Sequence, residues 1–102
     1  MEIQKLVRDK IPAIIQAQGK TPSIRILSDA EYTAALEKKL DEEVAEFHKD
    51  QNLEELADIL EVVYALTENL GYSQEELQAL REKKAAERGG FRDRVFLISN
   101  DG

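Results

Sequence analysis

Apolar residues recur at helical spacing through the middle of the chain and predict long helices. An α-helix advances about 100° per residue, so apolar positions three or four apart form one stripe. Three such stripes occur: Leu36, Leu40, Val44 and Phe47 in the first, Ile59, Val62 and Leu66 in the second, and Leu77 and Leu80 in the third. The pattern therefore indicates a mainly α protein.

Helix start and stop signals bound each of these stripes. Ser28-Asp29-Ala30-Glu31 matches a capping box and opens a helix to about Lys49. Asn52-Leu53-Glu54-Glu55 opens a second helix that ends at Gly71, and Ser73-Gln74-Glu75-Glu76 opens a third that runs to Gly89-Gly90. The first two form a long helix hairpin, against which the third packs.

The ends of the chain predict shorter elements. Asp9 is a candidate cap for a short helix over Lys10–Gln18, with Pro12 in its first turn and Gly19 at its end. The segments 23–27 and 94–99 are rich enough in β-branched and aromatic residues to predict strands. We expect these strands to pair as a small two-stranded sheet beside the helical bundle.

Size and charge restrict the class of protein. The 102 residues allow one domain, 1–102, with a modest core. A net charge of −7 argues against binding to a nucleic-acid polymer. No apolar run approaches the ~20 residues of a membrane span, and the chain has no cysteine. We expect a cytoplasmic protein without thiolate metal sites. With one histidine, any bound metal needs oxygen ligands.

The broad apolar arc of the second helix predicts that the protein self-associates. Val62, Val63, Leu66 and Leu70 widen its apolar arc beyond what one neighbouring helix covers. We expect a homodimer or a dimer of dimers, in which helices pack across the interface.

Two pairs of carboxylates lie on the apolar arcs instead of the polar faces. Glu43 falls between Leu40 and Phe47 with Glu46 at the edge of the stripe, whereas Glu55 is in line with Ile59 and Asp58 borders that arc. An inward carboxylate without a partner costs several kcal/mol, so it requires protonation, a basic partner or a metal. Four converging carboxylates favour a hard divalent cation: Mg²⁺ first, with Mn²⁺ as the alternative.

Structural roles for the same acids remain open. Glu55 is positioned to complete a capping box with Asn52, and Glu42 and Glu43 can pair with Lys38 and Lys39. Either pair of acids alone would be unremarkable in a charged helix. Their occurrence on consecutive helices is what favours the metal hypothesis.

Four segments of the chain occur in an order that is typical of one enzyme family. The acids form an E-E-x-x-E pattern in Glu42-Glu43-Val44-Ala45-Glu46 and an E-x-x-D pattern in Glu55-Leu56-Ala57-Asp58. The other two segments are Lys5-Leu6-Val7-Arg8-Asp9-Lys10-Ile11-Pro12 and Glu87-Arg88-Gly89-Gly90-Phe91. The acid patterns resemble the signature of the MazG-like superfamily of nucleoside triphosphate pyrophosphohydrolases, and the two outer segments are similar to its short, single-domain house-cleaning branch. The resemblance implies an all-α bundle acting as a dimer or tetramer.

The resemblance also implies an activity and its ligands. Glu43, Glu46, Glu55 and Asp58 would hold Mg²⁺, with Glu42 a supporting or second-metal acid. The substrate would be a nucleoside triphosphate, non-canonical or deoxy, cleaved between the α and β phosphates to a monophosphate and pyrophosphate. Hydrolysis needs a general base, for which Glu46 and Glu42 are the candidates.

Basic residues at both ends are candidates for phosphate binding. Lys84 and Arg88 continue the Leu77 and Leu80 stripe, although cations also favour a helix C-terminus electrostatically. Arg8 and Lys10 belong to a basic segment near the N-terminus, where solvated charges are the usual case. Two other functions remain open: phosphoribosyl-ATP pyrophosphohydrolase, and a non-catalytic helical dimerisation or regulatory module.

Overall fold

The computed structural model describes residues 4–101, and it confirms a mainly α protein. Within that range the chain forms α1 (Ile11–Ala17), α2 (Asp29–Asp50), α3 (Leu53–Asn69) and α4 (Gln74–Arg88). The predicted long helices correspond to α2, α3 and α4, with ends within a residue or two of the expected positions. Local sequence signals are therefore sufficient to place these three helices.

Caps account for the helix boundaries. Ser28 and Ser73 each form a full capping box, with Glu31 and Glu76 respectively. Arg25 donates two hydrogen bonds to the same Glu31 carboxylate. These bonds and those from Ser28 lower the pKa of Glu31 to about 2. Gly71 and Gly89, with positive φ of 95° and 81°, follow the ends of α3 and α4, where the sequence predicts that these helices stop.

The helix hairpin contains the small hydrophobic core. α2 packs along α3, and the two buried apolar side chains among the described residues are Leu36 of α2 and Val62 of α3. Asn69 at the end of α3 donates a 2.9 Å hydrogen bond to the hydroxyl of Thr33 at the start of α2. α4 packs more sparsely on α3, where Gln78 donates a hydrogen bond to the Tyr64 hydroxyl.

The expected two-stranded sheet is absent from residues 4–101. Neither 23–27 nor 94–99 is a strand, and Arg94 adopts a left-handed conformation (φ 58°) that an extended strand does not accommodate. Ile26 and Val95 are 88% and 87% exposed, so no neighbouring layer covers either segment. An isolated pair of short strands is marginal without such a layer.

The cap predicted for α1 is also wrong. α1 begins after Lys10, whose side chain makes no capping hydrogen bond, and Asp9 lies one residue before that position. The turn is closed by the backbone instead, since the N–H of Ile11 donates to the carbonyl of Arg8 at 3.0 Å. Pro12 in the first turn supports this start, because proline has no N–H that needs a partner.

The chain is extended for its length. Its radius of gyration is 18.2 Å and its principal extents are 63 × 31 × 23 Å. A compact chain of this length has a radius of gyration of about 13 Å. Within residues 4–101, no helix combines the length and apolar character needed to cross a bilayer.

Candidate metal centre

The tight connection between α2 and α3 brings the acidic residues of the two helices together. α2 ends at Asp50, Gln51 follows it in a left-handed conformation with φ 47°, and Asn52 then caps α3. The Asn52 side chain accepts a 3.0 Å hydrogen bond from the N–H of Glu55. This reversal directs the last two turns of α2 past the first two turns of α3.

Two groups of three carboxylates result, and they share Glu55. One carboxylate oxygen from each of Glu43, Glu55 and Asp58 lies within 4.8 Å of the others. The same holds for Glu46, Asp50 and Glu55. We call the five residues together the acidic centre. All four predicted metal ligands belong to it.

Asp50 is the member that the sequence analysis missed. It follows Glu46 by four residues and Glu43 by seven, so it continues the same face of α2. The helix was predicted to end at about Lys49, which placed Asp50 in the connection. A helix predicted to be one residue longer would have included Asp50 on this face.

Glu42 lies outside both groups. Its Oε2 is 3.9 Å from Nζ of Lys39, one turn earlier on α2, and its side chain is 38% exposed. The neighbouring Glu43 is only 14% exposed and points toward α3. The predicted supporting acid therefore pairs with a lysine, while the predicted ligand faces the other helix.

Glu55 belongs to both groups of the acidic centre and is surrounded by its other carboxylates. Partial desolvation raises the pKa of its carboxyl group, and the charges of Asp50, Asp58, Glu46 and Glu43 raise it further. The reciprocal hydrogen bond of a capping box, from the N–H of Asn52 to Glu55, is not formed in this part of the described chain. The Glu55 side chain is thus available to ligands instead of being used by the helix terminus.

Two cations of the protein already touch the acidic centre. Lys39 Nζ lies 3.2 Å from Oε1 of Glu43, and Arg8 Nη2 lies 2.7 Å from Oδ1 of Asp58. The contact between Lys39 and Glu43 is one of the structural ion pairs that the sequence analysis left open. The Arg8 contact brings a predicted phosphate-binding residue to a predicted metal ligand.

The other predicted phosphate-binding residues are not at the acidic centre. Lys10, Lys84 and Arg88 are exposed, and within residues 4–101 none of them forms an ion pair or hydrogen bond with its carboxylates. α4 packs on α3 but does not approach α2. Arg88 instead lines a shallow groove with the glycine- and arginine-rich segment 89–95.

The donor set of the acidic centre fits a hard divalent cation. Carboxylate oxygens are the ligands that Mg²⁺ and Mn²⁺ prefer, and each group of the acidic centre brings three of them within 4.8 Å of one another. Zinc is less suitable, because no cysteine is present and His48 is not part of either group.

Comparison with known proteins adds one relative. A protein from Mycolicibacterium smegmatis (strain ATCC 700084 / mc(2)155), described as an uncharacterized protein, is 69% identical over 42 residues. The match spans 41% of this chain and 43% of the relative, so it covers less than half of either protein. No family model matches the chain, and no solved structure matches it either.

Proposed function

We propose that this protein is a Mg²⁺-dependent nucleoside triphosphate pyrophosphohydrolase of the MazG-like type. The observation that carries the proposal is the acidic centre. Its two groups of carboxylates come from α2 and α3, have oxygens within 4.8 Å of one another in each group, and have Glu55 in common. Carboxylates at this spacing repel one another when ionised, and this repulsion adds to partial desolvation in raising the pKa of Glu55. A divalent cation relieves the repulsion and also binds phosphate oxygens.

The residues of the acidic centre have separable roles in this proposal. Glu43, Glu55 and Asp58 hold the cation, which when bound neutralises charge on the phosphate oxygens. Glu46 is more exposed and belongs to the second group with Asp50, so it is the better placed general base for the attacking water. Glu42 is the weaker candidate, because it lies outside both groups beside Lys39.

Arg8 is the candidate phosphate-binding residue closest to the acidic centre. Its guanidinium contacts Asp58 and is 55% exposed, so it retains donors for a phosphate group. Lys10, Lys84 and Arg88 remain candidates only if a conformational change or a neighbouring copy of the chain brings them closer to the acidic centre.

The activity is tested by measuring pyrophosphate release from a panel of standard and modified nucleoside triphosphates. Parallel reactions contain Mg²⁺, Mn²⁺ or EDTA. We expect release of pyrophosphate and a nucleoside monophosphate with either metal, and none with EDTA. Phosphoribosyl-ATP belongs in the panel, since its selective hydrolysis would assign the related reaction. Absence of metal-dependent hydrolysis across the panel would falsify the enzyme proposal.

A non-catalytic helical module is the second candidate, and the ion pairs favour it. Lys39 with Glu43 and Arg8 with Asp58 neutralise two of the acids without a metal. Such a module would show no Mg²⁺-dependent thermal shift and no pyrophosphate release. A rise in melting temperature with millimolar Mg²⁺ that EDTA reverses would favour the metal-dependent enzyme, and its absence would favour the module. This measurement does not require a known substrate.

We also propose that the protein is a homodimer or a dimer of dimers. The chain buries few apolar side chains, and Leu56 and Leu60, one turn apart on α3, remain 46% and 45% exposed. These leucines lie on an apolar arc that no other described helix covers. Multi-angle light scattering at micromolar concentration should give at least twice the 11.6 kDa chain mass. Leu60→Glu should lower that mass, whereas Glu61→Gln on the same helix should not.

A further inference from the structure

An ion pair joins the N-terminal segment, residues 4–10, to the acidic centre. Arg8 Nη2 donates a 2.7 Å hydrogen bond to Oδ1 of Asp58, and fifty positions separate the two residues in the sequence. Asp58 is also grouped with Glu43 and Glu55. A guanidinium group of the protein therefore binds one oxygen of a carboxylate that the proposed metal site requires.

The helix that follows this segment packs only loosely on the helical body. α1 has no buried residue, and it does not approach α2, α3 or α4 closely. Val7 and Ile14 are 37% and 49% exposed. The Arg8–Asp58 ion pair therefore fixes Arg8 to α3 next to a loosely packed helix.

We propose that Arg8 is an internal competitor of the divalent cation. In the metal-free protein it pairs with Asp58, and binding of the cation to the acidic centre displaces it and releases the segment 4–10. This inference rests on the metal site proposed above, and it assigns a regulatory contact to that site. A released guanidinium would then be free to bind a phosphate group.

The electrostatics of the contact favour exchange. A divalent cation at Glu43, Glu55 and Asp58 would repel a guanidinium held against the same carboxylate. The pair is also weak enough to be replaced, since its side chains are 55% and 41% exposed and water screens their attraction. The Lys39–Glu43 pair differs, because its side chains are 19% and 14% exposed and both belong to α2.

Competition predicts tighter metal binding when Arg8 is removed. The affinity of the protein for Mn²⁺, without nucleotide, is measured by electron paramagnetic resonance or calorimetry. We expect Arg8→Gln to bind Mn²⁺ about two- to fivefold more tightly, which corresponds to losing one exposed ion pair. Arg8→Lys keeps the charge and should remain near wild type. Lys5→Gln makes the same charge change in the same segment without an Asp58 partner and serves as the control.

Release of the segment is measured by limited proteolysis. Trypsin cleaves after Lys10, and we expect Mn²⁺ to accelerate cleavage at that bond in the wild-type protein. In Arg8→Gln the same bond should be cleaved rapidly with or without Mn²⁺. An unrelated trypsin substrate in the same reactions controls for effects of the metal on the protease.

The outcomes separate this inference from the proposed function. If wild type and Arg8→Gln bind Mn²⁺ equally, or the variant binds more weakly, Arg8 is not a competitor although the metal site stands. If neither protein binds Mn²⁺ at millimolar concentration, the metal site and the competition are both wrong. Mn²⁺ binding without pyrophosphate release would leave the competition intact and overturn only the enzymatic activity.

Discussion

Lys39 and Glu43 form an ion pair one turn apart on α2, with Nζ 3.2 Å from Oε1 and side chains 19% and 14% exposed. The pair supplies positive charge at the edge of the acidic centre. It lowers the repulsion that Glu43 would otherwise experience from Glu55 and Asp58. The proposed metal ion would reduce the same repulsion that Lys39 reduces in the metal-free protein.

Replacing Lys39 should therefore destabilise the metal-free protein. We expect Lys39→Met to lower the free energy of unfolding by about 1–3 kcal/mol in EDTA, because a largely buried carboxylate loses its partner. Saturating Mg²⁺ should recover part of that loss. Urea unfolding followed by circular dichroism measures both quantities. Lys38→Met, the exposed neighbour on α2, is the control and should change stability little.

Glu55 should make the metal-free protein sensitive to pH. Its raised pKa means that the folded state favours the neutral carboxyl group, so the ionised group destabilises the fold at neutral pH. Stability contributed by this group is present at low pH and lost as the pH rises through the raised pKa. Glu55→Gln cannot ionise and should melt at a higher temperature than wild type at pH 7 in EDTA.

The difference between the two proteins should shrink as the pH falls and disappear near the ordinary pKa of a glutamate, about 4.3. Thermal melts in EDTA at several pH values measure this. Glu61→Gln, on the exposed face of α3, provides the comparison and should show no such trend. A melting-temperature difference that grows toward low pH would contradict the electrostatic account of Glu55.

Neutralising the acids should affect metal binding and turnover together. We expect Glu43→Gln, Glu55→Gln and Asp58→Asn each to weaken Mn²⁺ affinity by roughly tenfold or more, as loss of a charged ligand does. Asp50→Asn tests the second group separately. If only the first group holds the cation, this variant should bind Mn²⁺ as wild type does.

Glu46→Gln distinguishes a general base from a metal ligand. A general base contributes about 10²–10⁴-fold to the rate, so kcat for pyrophosphate release should fall by that factor. If Glu46 acts only as a base, the affinity for Mn²⁺ should be preserved. Full turnover by this variant would remove Glu46 from the mechanism and return attention to Glu42.

Leu36 should be the most sensitive apolar position. Its side chain is 2% exposed at the contact between α2 and α3. Leu36→Ala should cost about 2–5 kcal/mol of stability through lost burial and the cavity that remains. Leu70→Ala removes a side chain that is 75% exposed and should cost much less in the monomer. A large effect at Leu70 would show that it is buried in an oligomer.

Much of the helical structure could be predicted from the sequence because its signals are local. The Ser28 and Ser73 capping boxes and the glycines after α3 and α4 each act within one helical turn, and all appear as expected. The sheet could not be predicted in this way. Strand formation at 23–27 and 94–99 depends on a distant partner and a covering layer, and neither is present in residues 4–101.

The acidic pairs of α2 and α3 also combine a part that local spacing predicts with a part that the tertiary structure determines. Sequence spacing alone placed Glu43, Glu46, Glu55 and Asp58 on inward arcs, because side-chain direction follows the helical period. The tertiary structure decided which acids meet: Gln51 and Asn52 set the hairpin geometry, so Asp50 joins the acidic centre and Glu42 does not. It also decided that Arg8 reaches Asp58, a contact across fifty positions that no local pattern encodes.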